Sequence, residues 1–123
     1  MNRHYGTEIL VSEAVAERTR DRFLMRSVDK VVPKGIAHPI RIYELLGGLD
    51  DTQETERIRC GRWEDAYGAY LKREWQAALD VFRSLSTKSP DDELAKIYVG
   101  RAERYLTEPP RPDWQGVETY LSK

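Results

Sequence analysis

"DRFLMRSVDKVVPKGIAHPIRIYELLGG", residues 21–48, decides how this chain folds. Its two runs "FLMRSVDKVV" and "IRIYELL" are rich in β-branched and aromatic residues and roughly alternate in polarity, the pattern of half-buried strands. Pro33 and Pro39 bound the connection between them. Each fixes φ and lacks a backbone donor, so neither belongs inside a central strand, and together they frame a hairpin connection. Within that frame stands the pair Lys34-Gly35. A tight turn is one use for it. A bound anion is the other, since glycine lets the backbone approach and lysine brings a point charge. Two residues alone do not separate these uses.

On the N-terminal side, "EILVS" is a short apolar run fit for a buried strand. Ser12 is placed to cap a helix through its hydroxyl, with Glu13 in the first turn against the helix dipole. That helix, "EAVAERTRDR", is expected to run to about Arg22. The first half therefore reads as strand, helix and antiparallel hairpin.

On the C-terminal side, "GGLDDTQETE" is a polar break, and the period then becomes helical. Trp63, Ala66, Tyr67, Tyr70 and Leu71 form one apolar stripe, and Trp75, Ala78, Leu79, Phe82 and Leu85 a second. "SPDD" predicts a helix start with Ser89 as cap, Pro90 in the first helical position and Asp92 closing a capping box. Leu94, Ile97, Tyr98, Ala102 and Tyr105 stripe the third helix, which "EPPRPDW" ends. The expected class is α+β, divided into 1–47, a linker at 48–56, and a helical tail at 57–123.

With 123 residues, 40% of them hydrophobic, the chain forms one domain or two very small ones. A net charge of −1 gives no basic excess for nucleic acid. Cys60 is the single cysteine and cannot form an internal disulfide, and "MNRHYGTEIL" lacks the apolar core of a leader. No segment approaches membrane-spanning length, and a cytoplasmic location is expected.

Ala66, Trp75, Ala78, Phe82 and Pro90 stand at the spacing of a tetratricopeptide repeat, which the helical half resembles. With one repeat only, its apolar face has to lean on something else. Asn2 with Tyr5-Gly6, "ILVSE", "DRF", "PKG" and "PIRIYELLG" follow one another through the first half. In these features it resembles the C-terminal end of a class III adenylate/guanylate cyclase catalytic domain. The tail also resembles the extension that follows this domain in many bacterial cyclases, through "SPDD", "PPRPDWQGV" and the terminal Lys123.

The resemblance implies a head-to-tail homodimer with ATP, or else GTP, at its interface. The ribose 3′-oxygen would attack the α-phosphorus and pyrophosphate would leave, assisted by Mg or Mn. It makes Lys34 a contact to the nucleotide's terminal phosphates. Ile36 stands where many members carry a second lysine, which leaves Lys34 to act by itself. The metal-holding aspartates and the transition-state Asn/Arg pair would belong upstream of Asn2, so no catalytic residue and no metal ligand is assigned in this chain. The expectation is a cyclase fragment, ATP before GTP, catalytically incomplete alone. Two other readings stand beside it: a tetratricopeptide-like module that docks a protein partner or the dimer mate, and an inactive structural stub.

Other chemistry-bearing residues read more blandly. His4, His38 and Cys60 lack the spacing of a zinc site. Arginines around Cys60 in "RIRCGR" would favour a thiolate, whereas burial would make it inert. Asp50-Asp51 follow two glycines in a polar break and fit a solvated turn. The striped aromatics fit a core better than a peptide groove.

Overall fold

Ser12 turns the chain from strand to helix. Strand β1 (Leu10–Ser12) ends on it, and its hydroxyl accepts from the Val15 N–H at 3.4 Å to start α1 (Glu13–Thr19). The computed structural model describes residues 9–118. Asn2, His4, Tyr5, Gly6 and Lys123 lie outside them.

Helix α1 stops at Thr19, short of the expected Arg22. Thr19 Oγ1 donates back to the Val15 carbonyl at 2.9 Å, and the Arg22 N–H closes a turn onto the Thr19 carbonyl at 2.9 Å in place of the i−4 bond a continued helix needs. The Arg22 carbonyl accepts from the Leu49 N–H at 2.9 Å. Arg22 thus belongs to the sheet's border rather than to the helix.

Strands β2 (Phe23–Val31) and β3 (Ile40–Gly48) form the expected antiparallel hairpin, from Phe23 opposite Gly48 to Val31 opposite Ile40. β1 pairs with the other side of β3, so the three-stranded sheet has the order β1-β3-β2. β2 is irregular between Leu24 and Met25 and between Ser27 and Asp29. The second irregularity buries Ser27, Val28 and Asp29 in succession, which a regular pleat would not do.

Gly48 is still strand, and α2 (Glu54–Leu71) begins after Gln53, so the turn between the two elements is 49–53. Arg57 pins that turn by donating to the Leu49 and Thr52 carbonyls. Helices α3 (Trp75–Lys88) and α4 (Glu93–Thr107) follow in sequence, α2 packing on α3 and α3 on α4.

The third helix starts later than "SPDD" predicts. Ser89 ends α3, its N–H bonding to the Leu85 carbonyl, and Asp92 is the cap of α4, accepting from the Ala95 N–H at 3.4 Å. The competition between two good capping residues is settled from outside the segment, because Arg26 on β2 holds the Asp92 carboxylate with two hydrogen bonds of 2.8 and 2.9 Å.

The three predicted stripes are buried, with Leu71 and Ile97 at their margins. They share a single core with Val28 and Ile42 of the sheet. Its aromatic rings meet mainly edge-on or tilted, as Trp63 does with Tyr98 (5.5 Å, 82°) and Tyr70 with Trp75 (5.5 Å, 75°). Among the described residues the architecture is α+β, with four helices and one antiparallel sheet.

Candidate functional site

The hairpin loop at 32–39 carries the candidate residue. The Ile36 N–H closes a turn onto the Pro33 carbonyl at 3.0 Å, with Lys34 and Gly35 as its central pair. Gly35 has φ +85°, the value a type II turn demands at its third position, and a Cβ there would meet nothing within 4 Å. Lys34 is exposed, as are Val32, Ile36 and His38 around it. The turn therefore presents an ammonium group to solvent on a backbone fixed by glycine and flanked by prolines. Chemically it can attract an anion.

Arg26, Asp29 and Glu44 of the same hairpin are used inward. β2 is an outer strand, and its free edge meets the helices through side chains. Glu64 accepts from the Ser27 N–H at 2.6 Å and from its hydroxyl at 2.8 Å. Trp63 Nε1 donates to the Ser27 carbonyl at 2.7 Å, Tyr98 Oη to the Val28 carbonyl at 2.5 Å, and the Cys60 thiol to the Met25 carbonyl at 3.2 Å. Arg26 bridges Glu44 and Asp92, and Arg101 pairs with Asp29 at 3.1 Å in a fully buried setting. An outer strand whose edge is covered this way offers no template to another chain.

These partners were not foreseen from the sequence. One signal was available: Arg101 follows Tyr98 by three and precedes Tyr105 by four, which puts it on the apolar stripe of α4. A cation there needs a buried anion. Which anion is not written locally, since Asp29 lies 72 residues away.

Burial, which would raise the Asp92 carboxyl, is outweighed by the hydrogen bonds and charge of Arg26, so its pKa lies below the usual range. Burial pushes the Cys60 thiol up to about 11, with Glu64 adding to it against Arg26 and Arg59. Cys60 is an inert, structural thiol at neutral pH. His38 is exposed in the loop, and Asp50 and Asp51 are exposed in the turn after β3.

Among the described residues, no group of three or more His, Cys, Asp or Glu side chains is placed to hold a metal ion. A groove of about 490 Å³ runs between Arg26 and Glu44 on the sheet, Arg59 on α2 and the α3–α4 corner. It lies away from the candidate turn: Arg26 is five residues before the end of β2, about 16 Å at the usual strand rise. Its central cation is already shared by two carboxylates. Among the described residues, no helix is long and apolar enough to cross a membrane.

No family model matches the chain, and no solved structure does. Among curated proteins, it is similar to the "Adenylate cyclase, terminal-differentiation specific" of Dictyostelium discoideum, with 25% identity over 103 residues. That stretch is 80% of this chain and 5% of the other protein, so the chain spans about a twentieth of its relative's length. The chain is thus similar to a small part of an adenylate cyclase.

Proposed function

We propose that this chain is the C-terminal part of a class III nucleotide cyclase. It would supply the phosphate-contacting hairpin of the catalytic domain and a tetratricopeptide-like helical brace behind it. The reaction of the intact enzyme is cyclisation of ATP, with GTP the other candidate: the ribose 3′-oxygen bonds to the α-phosphorus as the bond to pyrophosphate breaks. Two such enzymes would join head to tail around the nucleotide. Mg or Mn would be held by residues outside this chain.

The observation that carries this reading is the span of the cyclase similarity. Its 103 residues exceed either half of the chain, so it includes parts of both the hairpin unit and the helices. The shared core supplies the physical reason for that continuity, because Val28 and Ile42 pack in one cluster with Trp63, Tyr98 and their neighbours. The same packing argues against the helical part as a free peptide-binding module. The stripes that would line a groove are closed against one another and against β2.

Within this reading Lys34 engages the terminal phosphates. In the intact enzyme, Lys34→Ala is expected to lower kcat/KM about ten- to hundredfold, since a charge-assisted hydrogen bond contributes about 1.5–3 kcal/mol. Lys34→Arg should restore part of that loss by keeping the charge in a different geometry. The 123-residue chain alone, given ATP and Mn²⁺, should form no cyclic nucleotide. Unchanged kcat/KM in the alanine variant would reduce the Lys-Gly pair to a turn. Turnover by the isolated chain that survives repurification would sink the fragment reading.

A further inference from the structure

The base of the Lys34 hairpin is held from behind by the segment 110–118. Along most of β2 the free edge is satisfied by side chains of α2 and α4. At its end main chain comes alongside: Lys30 pairs with Val117 in a parallel bridge, while the Lys30 N–H bonds to the adjacent Asp29 carboxylate at 2.8 Å. Lys30 is the last but one residue of β2, four positions before Lys34.

This segment is anchored on both sides of the bridge. Before it, Arg73, itself at φ +67°, donates to the Pro110 and Arg111 carbonyls at the α2–α3 corner. Trp114 inserts its ring among Tyr70, Trp75 and Tyr105 at 5.4–5.6 Å. After the bridge, Glu118 accepts from Tyr105 Oη at 2.9 Å and pairs with Arg104 on α4.

Gly116 is what lets the segment lie so close. It is buried at φ +93°, and a Cβ there would sit 2.7 Å from Leu71 Cδ2 and 3.0 Å from Lys30 Cδ. Any other residue would be strained by its φ and would have to displace the Leu71 tip or the Lys30 stem.

We propose that residues 110–118 form a positioning strap that couples the packing of α2, α3 and α4 to the placement of the Lys34 turn, with Gly116 and Val117 as its positioning residues. The Lys30–Val117 bridge is the point of transmission. Its effect on the hairpin stands without any assumption about function, whereas its effect on catalysis rests on the phosphate role proposed for Lys34.

Amide hydrogen exchange on the 123-residue chain tests the first effect. In Gly116→Ala, exchange across 29–34 should accelerate by about tenfold or more while the centres of α2, α3 and α4 stay protected, the signature of a local opening. Val117→Pro, whose ring and fixed φ disturb the backbone of the bridge without filling the space at Leu71, should give the same pattern. Unchanged exchange at 29–34 in both variants, or equal acceleration throughout the molecule in both, overturns the strap.

In the intact cyclase, Gly116→Ala should raise KM for ATP more than it lowers kcat. It should add little on a Lys34→Ala background, because one route carries both effects. Full additivity overturns the coupling to Lys34. A Lys34→Ala enzyme with unchanged kcat/KM would refute the phosphate role alone, and the exchange measurement would still judge the strap.

Discussion

Residues 26–29 and the loop at 32–39 are neighbours in one hairpin, yet they treat charge in opposite ways. In the first, Arg26 and Asp29 are matched by carboxylate and guanidinium groups 66 and 72 residues away, in places water scarcely reaches. In the second, Lys34 stands in solvent on a turn that closes through its own backbone. Charge in the first stretch joins sheet to helices. Charge in the second is left for whatever approaches. The comparison separates residues that make this fold from a residue the fold merely presents.

The sharpest way to break that distinction is at Asp29, only 2% exposed. Asp29→Ala takes from buried Arg101 its carboxylate partner at 3.1 Å and leaves it Glu118 at 3.7 Å, and breaking one side of a buried pair costs about 3–5 kcal/mol. Against a total of about 5–15 kcal/mol for ordinary domains, that is a large fraction. Urea unfolding followed by far-UV circular dichroism should show the midpoint falling steeply. A loss below about 1 kcal/mol, the range of exposed pairs, would mean that this contact is no lock.

A gentler effect is expected at the Arg26–Asp92 contact, and it depends on pH. The Asp92 carboxyl is held below its unfolded value, so its contribution is fully present above the ordinary carboxylate range. It is lost as pH falls through the folded pKa, because the unfolded chain takes up the proton first. Stability should therefore drop on acidification below about pH 4. Asp92→Asn, which keeps an oxygen to cap α4 and loses the titrating charge, should show a shallower drop. Identical acid profiles for the two proteins would remove Asp92 from the set of charges that join the halves.

How far the sequence reveals this arrangement varies with how local each cause is. The three helical stripes and the proline-bounded hairpin follow from periods and turn residues within a few positions of one another, and the structure contains them. The Arg22 carbonyl, just past α1, is bound by the Leu49 N–H, and the start of α4 depends on Arg26 choosing Asp92 over Ser89. Neither partner is near in sequence. The irregularity between Ser27 and Asp29 hides the most, since it buries three residues in a row where alternation expects one face in and one out. For the candidate site, the Lys-Gly turn and its exposure were legible, because Gly35 and the two prolines act on the local backbone. The role of the lysine is not a property of the turn, and it rests on the cyclase likeness.

The smallest effect should come from the turn itself, and here the two residues of the pair part company. Gly35→Ala places a Cβ on a backbone at φ +85° with open space around it, so the cost is conformational only, about 1 kcal/mol. Lys34→Ala changes an exposed side chain with no ion pair among the described residues, and stability should stay within about 0.5 kcal/mol of the parent. Parallel urea titrations of the two variants of this chain compare them directly. If Lys34→Ala costs as much as Gly35→Ala, the lysine is holding the loop and the contrast with Asp29 fails. If the glycine alone matters, the fold needs the turn and not the charge, and the reason for the charge lies in what the turn meets.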